Sequence, residues 1–293
     1  EMRDHVCAQC HVEYYFRGEN AILTYPWTEW PKDQPLRFEM IEDYYEKVRN
    51  MPGGFQQDWT HAVTKAPMLK MQHPETEVVS SGVHASLIGC VDCHMPKVER
   101  NGRNVTDHTL NSPLNKLEAC LGCHNGFSED EMYQRVYDIQ TRNVAALLRA
   151  EKAVLALIED IAMVREELAG KEPFAQISDA GEQEAAITQE LSDVLDYHRR
   201  SSMRWDWIGA SNSSGAHSPK EALRVLEQAV DLAREGQDLL VDVAAEHDID
   251  VDPTKNPTLP QAPDPIDPES IIGSQPPAIT QAADRRVLEQ LDR

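Results

Sequence analysis

The sequence has 293 residues and a mass of 33.0 kDa, with 50 acidic and 28 basic side chains that give a net charge of −22. This balance argues against a nucleic-acid partner, because phosphate backbones are bound through clustered Lys and Arg. No apolar run reaches the roughly 20 residues of a membrane span, so we expect a chain that does not cross a membrane.

The first region, residues 1–127, is interrupted by many Pro and Gly residues, and continuous helical periodicity is scarce in it. It contains all six cysteines, and each belongs to one of three C-x-x-C-H motifs, at 7–11, 90–94 and 120–124. No cysteine remains for a separate disulfide or a lone nucleophile. We predict a loop-rich region held together by something other than a large apolar core.

The second region, residues 128–250, has the apolar i, i+3, i+4 periodicity of long helices. The pattern predicts helices over 128–170, 182–210 and 218–247, the first opened by a capping box of Ser128 and Glu131. Helices of this length suggest a bundle or a subunit interface. Residues 251–293 predict a Pro-rich tail with a short C-terminal helix.

The three C-x-x-C-H motifs predict covalent haem c, because two thiols bind the porphyrin and the next residue offers its imidazole to the iron. A structural zinc site would pair C-x-x-C units into four ligands, and a thioredoxin-like dithiol normally occurs once. A disulfide framework usually belongs to a smaller chain. We therefore predict three haems, attached at Cys7, Cys10, Cys90, Cys93, Cys120 and Cys123. The proximal iron ligands are then His11, His94 and His124.

Haem c attachment in bacteria takes place outside the cytoplasm, so we expect an exported, periplasmic protein. The sequence begins at Glu1 without an apolar signal region, and we expect the natural start to lie upstream. The other histidines are candidates for the distal side of the irons. They are His5, His61, His73, His84, His108, His198, His217 and His247.

Several segments, taken in order, resemble pentahaem ammonia-forming cytochrome c nitrite reductase. They are "CAQCHVEYYF" (7–16), "PMLKMQHPE" (67–75), "SGVHA" (81–85), "CVDCHMPKV" (90–98), "TDH" (106–108), "CLGCH" (120–124) and "RRSSMRWDWIGASNSSGAHSP" (199–219). The resemblance covers most of the chain. It implies a mainly α multihaem cytochrome c, with a loop-rich haem-packed region followed by a bundle of long helices.

The resemblance also assigns the haems and their distal ligands. The three motifs match the third, fourth and fifth haem sites of the family. His217 matches the distal ligand of the fourth haem, His84 that of the fifth, and His108 that of a second haem attached upstream. His5 has no counterpart, and we expect His61, His198 and His247 to be structural or exposed.

Two further sites follow from the resemblance. Glu13 and Gln72 match side-chain ligands of a calcium ion, with the backbone carbonyls of Tyr14 and Lys70 as further ligands. Oxygen ligands of this kind suit Ca²⁺. Tyr14 and His73 match two residues of the distal pocket at the catalytic haem. Taken alone, the tyrosine could be a core aromatic and the histidine part of a surface loop.

The sequence departs from the family pattern because no C-x-x-C-K motif, which binds the catalytic haem of the family through a lysine ligand, is present. The second haem motif, the distal-pocket arginine and the distal histidine of the third haem are also absent. One explanation covers all of these: the chain is an N-terminally truncated fragment of a five-haem protein. We expect such a fragment to be inactive alone.

The resemblance implies an oxidoreductase of ammonification, which reduces nitrite to ammonium with electrons relayed through its haems. It also implies a homodimer that receives electrons from a multihaem cytochrome, either membrane-anchored or soluble. Two alternatives remain open. One is a non-enzymatic multihaem electron carrier, and the other is a related reductase acting on hydroxylamine or a sulfur oxyanion.

Overall fold

The computed structural model describes residues 4–17, 20–26, 34–85, 87–109 and 112–257, and it is mainly helical, as predicted. The chain divides into two compact units. The cysteine-bearing unit comprises Glu1–Gln56, Met71–Asn143 and Trp207–Arg224, and the helical unit comprises Gln57–Lys70, Val144–Asp206 and Val225–Arg293. The three-part division at 127 and 250 stays a prediction. The C-terminal helix and most of the tail lie outside the described residues.

In the part of the chain up to residue 121 that the structure describes, there are short helices and three antiparallel pairs of strands. The pairs are β1–β2, β3–β4 and β5–β6, in which Tyr15 faces Thr24, Trp59 faces Met68 and Lys97 faces Thr106. The elements are α1 (Asp4–Cys7), β1 (Tyr15–Arg17), β2 (Ile22–Thr24), α2 (Phe38–Arg49), β3 (Trp59–Thr60), β4 (Pro67–Met68), α3 (Glu75–Ser80), α4 (Cys90–His94), β5 (Lys97–Arg100), β6 (Arg103–Thr106) and α5 (Glu118–Leu121).

Helix α2 was not predicted, because continuous helical periodicity is scarce in the region around it. Its apolar residues recur at i, i+3 and i+4, and its buried face includes Phe38, Ile41, Tyr45 and Val48. The Phe38 ring packs edge-on against Trp207 with centroids 5.5 Å apart. The cysteine-bearing unit therefore has an apolar core of its own, centred on one amphipathic helix.

Four long helices follow: α6 (Glu129–Ala169), α7 (Ala180–Glu190), α8 (Ser192–Ala210) and α9 (Pro219–Glu246). The predicted capping box is present at the start of α6, where the backbone N–H of Ser128 donates to Glu131 (2.8 Å) and that of Glu131 donates to Ser128 Oγ (3.3 Å). Helix α6 ends one residue before Gly170. The predicted helices 128–170 and 218–247 are confirmed to within a residue at each end.

The predicted helix over 182–210 is two helices, because the chain turns at Leu191 with ψ of 9°. Leu191 is fully buried, and Ile187, Val194 and Leu195 beside it are also in the core. The turn changes the direction of the apolar face from α7 to α8, so that both helices bury their apolar residues. Periodicity alone does not reveal such a break, since the apolar spacing continues through it.

The core of the helical unit is one continuous apolar cluster. Helix α9 comes close to α6 at Gly236, where an added Cβ would lie 3.0 Å from Leu157 Cδ2. Within the described residues, no helix combines the length and the apolar character that crossing a membrane requires. The cluster consists of Ala66, Met68, Val154, Leu157, Ile161, Val164, Leu168, Phe174, Ile187, Leu191, Val194, Leu195, Ala233, Leu240, Ala244, Ile249 and Val251.

Candidate haem-binding and distal site

Each C-x-x-C-H motif forms a single helical turn that brings its histidine back towards its first cysteine. The N–H of His11 donates to the carbonyl of Cys7 at 2.9 Å, and the N–H of His124 donates to that of Cys120 at 2.8 Å. The middle motif is itself helix α4. Residues i and i+4 share one face of a helix, so the motif histidine and the first thiol point to the same side. This is the geometry that haem c attachment requires.

The three motifs are neighbours in the cysteine-bearing unit, because α4 packs against both α1 and α5. The carboxylate of Asp4 in α1 accepts the N–H of Cys90 at 2.8 Å, while Asp92 accepts the N–H of Gly89 at 2.8 Å. These bonds satisfy backbone donors at the start of α4. The row α1–α4–α5 therefore places the three motifs side by side.

The thiols of the middle motif have raised pKa values, which do not suit a redox dithiol. Burial, and then the charge of Asp4, raises the pKa of the Cys90 thiol to about 12, and burial also raises the pKa of Cys93. A disulfide oxidoreductase needs a lowered thiol pKa, because the thiolate is its nucleophile. All six cysteines are free thiols. The raised thiol pKa values disfavour dithiol exchange at this motif.

Two histidines that are distant in sequence from the motif histidines lie close to them in the structure. The rings of His94 and His217 have centroids 6.2 Å apart, and those of His84 and His124 are 6.1 Å apart. Metal–nitrogen bonds of about 2 Å on either side of an iron, plus the half-width of each ring, give a centroid spacing of about 6 Å. Both spacings fit a haem iron between two imidazoles. These are the pairs that the resemblance assigns to the fourth and fifth haem sites.

His217 is held in place by its surroundings. Its carbonyl oxygen lies 2.2 Å from where a Cβ would stand on Gly82, so only glycine allows the two segments to approach. Burial, and then the nearby His94, lowers the pKa of the His217 ring, and its Nδ1 is buried without a hydrogen-bond partner in the described chain. A neutral imidazole in this position is suited to bind iron.

His108 and His73 differ from these two pairs. His108 is exposed at the end of β6, where its Nδ1 contacts the carbonyl of Thr106 at 2.9 Å, and no histidine ring of the described chain packs against it. His73 is also exposed, and its ring centroid lies 6.2 Å from that of His11. This spacing would suit an iron-ligand pair as well as the predicted distal residue, so a test of His73 must separate the two roles.

The predicted calcium ligands Glu13 and Gln72 come together in the cysteine-bearing unit. The Glu13 carboxylate is fully buried and accepts the N–H of Gln72 at 2.7 Å and the hydroxyl of Tyr45 at 2.7 Å. A buried carboxylate is an oxygen ligand of the kind that Ca²⁺ prefers. Tyr14 follows Glu13 directly, whereas Lys70 belongs to the helical unit.

The described residues contain no group of three or more His, Cys, Asp or Glu side chains placed to hold a metal ion. A calcium site of one carboxylate, one amide and backbone carbonyls does not depend on such a group.

Sequence reasoning missed Glu77, whose two carboxylate oxygens both accept the N–H of Glu13 at 3.1 Å. Burial raises the pKa of Glu77 well above its ordinary value. The sequence shows the segment P-E-T-E directly after His73, but it does not show that the glutamates of this segment are buried.

The remaining histidines have the surroundings of structural or exposed residues. His5 is exposed, and His247 Nε2 contacts Glu190 at 2.8 Å. In the helical unit, His198 is fully buried with its Nδ1 3.1 Å from Thr64 Oγ1, and its ring lies edge-on to His61 with centroids 5.0 Å apart.

The motif turns and the imidazole pairs together are the arrangement of a multihaem c-type cytochrome. The chain belongs to the cytochrome c552 family, whose family model matches residues 1–282. This membership confirms the family that the motifs predict.

Known relatives agree with this assignment. The chain is 36% identical over 250 residues to cytochrome c-552 of Porphyromonas gingivalis and 34% identical over 252 residues to that of Haemophilus influenzae. These matches cover 84% and 85% of the chain but only 44% and 41% of the relatives, so the chain spans less than half of their length.

Among solved structures, the chain resembles the catalytic subunit (NrfA) of cytochrome c nitrite reductase from Desulfovibrio desulfuricans, a structure described for its two calcium sites. The TM-score is 0.66 at 31% sequence identity, and the match covers 84% of this chain and 49% of that one.

Proposed function

We propose that this chain forms the haem relay and part of the distal pocket of a periplasmic, ammonia-forming cytochrome c nitrite reductase. The observation that carries the proposal is the pairing of His94 with His217 and of His84 with His124 at iron-ligand spacing. Family membership and the likeness to a nitrite reductase catalytic subunit support it. In this proposal the chain attaches three haems of a five-haem protein.

Reduction of nitrite to ammonium needs six electrons and several protons at one place. Haem iron supplies one-electron transfer when two histidines bind it. No C-x-x-C-K motif occurs in these 293 residues, so the catalytic step requires a haem that this chain does not itself attach. The imidazole pairs of α4 and α5 would orient two haems of the relay, and His11 would bind a third.

His73 and Tyr14 are the proposed pocket residues of this chain. An exposed imidazole can stabilise the nitrite anion and donate a proton to a bound nitrogen species. The hydroxyl of Tyr14 can donate a hydrogen bond to a bound nitrogen species. The Glu13 and Gln72 side chains and the carbonyl of Tyr14 would hold Ca²⁺. Because these ligands adjoin the pocket residues in sequence, the ion would fix both pocket side chains.

The surface charge and the helices suggest the partners. A net charge of −22 suits association with a basic face of a multihaem electron donor, membrane-anchored or soluble. The long helices α6, α8 and α9 are candidates for a homodimer interface, as the family resemblance implies.

The test of the proposed pocket is His73→Ala in the enzyme with its complete set of haems, with an artificial one-electron donor. We expect nitrite-dependent ammonium formation to fall about 10²- to 10⁴-fold, the usual contribution of a general acid–base group. Haem content and the low-spin visible spectrum should not change. His5→Ala is the matched control, because His5 is exposed and has no proposed role. Unchanged turnover would remove His73 from the pocket, and a new high-spin signal would identify it as an iron ligand instead.

One alternative is an electron carrier without enzymatic activity. The complete gene product separates the two functions. Ammonium formation from nitrite supports the reductase, whereas rapid haem reduction and reoxidation without ammonium would support the carrier.

A further inference from the structure

A buried carboxylate connects two of the proposed haem sites. Glu75, the first residue of α3, is 8% exposed, and its Oε2 lies 3.4 Å from Nδ1 of His11. Its other oxygen, Oε1, accepts hydrogen bonds from the backbone N–H (3.0 Å) and the side-chain Nδ2 (2.9 Å) of Asn212. The carboxylate is therefore fixed on one side and presented to an imidazole on the other.

The contact with His11 has a chemical consequence if that histidine binds iron. A carboxylate at Nδ1 fixes the ring proton there and leaves the Nε2 lone pair for the metal. It also makes the imidazole a stronger electron donor, which stabilises the oxidised iron and lowers its reduction potential. The side chain of His11 is 54% exposed, whereas that of Glu75 is 10% exposed. The carboxylate therefore contacts the side of the His11 ring that faces the protein interior.

The contact with Asn212 extends the effect to a second site. Asn212 lies in the loop between α8 and α9, which leads directly to His217, the residue that faces His94. One carboxylate thus contacts the predicted ligand of one haem and the loop that leads to the predicted ligand of another.

We infer that Glu75 is a positioning residue that lowers the reduction potential of the haem bound by His11 and ties this site to the loop that carries His217. The inference rests on the proposed function, because it requires that His11 binds a haem. The third motif histidine provides an internal comparison. His124 has no hydrogen bond to a carboxylate in the described part of the chain, so the same motif occurs with and without this support.

The direct test is a redox titration of Glu75→Gln, in which the neutral amide keeps the shape but removes the charge. We expect the one-electron equilibrium of one haem to shift about tenfold towards reduction, which corresponds to about 59 mV. A His11→Met variant identifies which component of the titration belongs to this haem. Glu75→Asp, which restores the charge, should recover part of the shift. The matched control is Glu99→Gln, which removes an exposed carboxylate of β5 in the same unit.

Asn212→Ala provides an independent variant of opposite sign. It removes the side-chain donor to Oε1 but leaves the charge, so the carboxylate should interact more strongly with His11 and the potential should fall. A fully haem-loaded Glu75→Gln protein with unchanged potentials would overturn the inference, as would an equal shift of every haem. If Glu75→Gln does not load haem, Asn212→Ala tests the inference alone: a lower reduction potential supports it, and an unchanged or higher one overturns it. A wild-type chain without haem would instead overturn the proposed function.

Discussion

In the helical unit, the buried side chains are mostly aliphatic and form one continuous cluster from Ala66 to Val251. In the cysteine-bearing unit, several carboxylates are buried alongside the apolar residues, with Glu13, Glu42, Glu75, Glu77 and Glu221 all at 8% exposure or less. The cysteines and all three motif histidines of that unit are only partly buried or exposed. One unit is specified by apolar burial, and the other is organised around polar contacts to its site.

The difference indicates what each unit needs in order to fold. Apolar burial stabilises the helical unit at about 25 cal/mol per Å² without any other component. A buried carboxylate stabilises a fold only when its partners are in place, since an unpaired buried charge is costly. We expect porphyrins, which are large apolar bodies, to supply the missing apolar contacts in the cysteine-bearing unit. The two units should therefore respond differently to the same disturbance.

The largest expected effect comes from preventing haem attachment at the centre of the row. In Cys90→Ala/Cys93→Ala, we expect the cysteine-bearing unit to lose roughly 5 kcal/mol or more, a large part of a domain's stability. Hydrogen exchange should show fast exchange in α3 and α4, while α8 and the second half of α9 stay protected.

The control for this experiment is the same double substitution in a chain without haem, where no further loss is expected. If protection fell equally in both units of the haem-loaded protein, the two units would share one folding transition and the contrast between them would be lost.

A smaller effect is expected from pH, and it belongs to the helical unit. Burial, and then the nearby His61, lowers the pKa of His198 to about 3. Between this value and the ordinary 6.5, the unfolded chain binds a proton that the folded chain does not. Stability is therefore fully present above pH 6.5 and is lost as the pH falls towards 3, by up to about 1.4 kcal/mol per pH unit.

His198→Gln tests this effect, because glutamine can keep the hydrogen bond to Thr64 but does not titrate. The free energy of unfolding, measured from pH 7 to pH 4, should depend less steeply on pH in the variant. His5→Gln, at an exposed position, should keep the wild-type slope. Equal slopes in the His198 variant and the wild type would show that this histidine does not carry the pH dependence.

The same contrast explains what could be predicted from the sequence. The helices α6 and α9 were predictable because their apolar spacing and caps are local signals, including Ser128 with Glu131 and Pro219 at the start of α9. The spacing in α2 was readable too, but the surrounding breaks masked it. The turn at Leu191 was not readable, because it depends on packing between two helices.

The site was predictable only in part. Motif spacing identifies the cysteines and the proximal histidines, since the chemistry lies within five residues. The partners of His94 and His124 came from family resemblance, because no local signal links them to His217 and His84. The role of Glu75 could not be predicted from the sequence. Its hydrogen bonds to Asn212 join residues 137 positions apart, and neither burial nor such pairing can be read from one sequence.

The smallest predicted effect lies where the last haem motif gives way to α6. Ser128 Oγ accepts the N–H of Glu131, and four residues earlier His124 ends its motif. Ser128→Ala should reduce stability by about 1 kcal/mol, the usual cost of losing an N-cap, and should speed exchange in the first turn of α6 only. Glu129→Gln changes charge in the same turn without removing the cap, so it should have less effect. Equal effects of the two variants would mean that charge, not capping, fixes the start of α6.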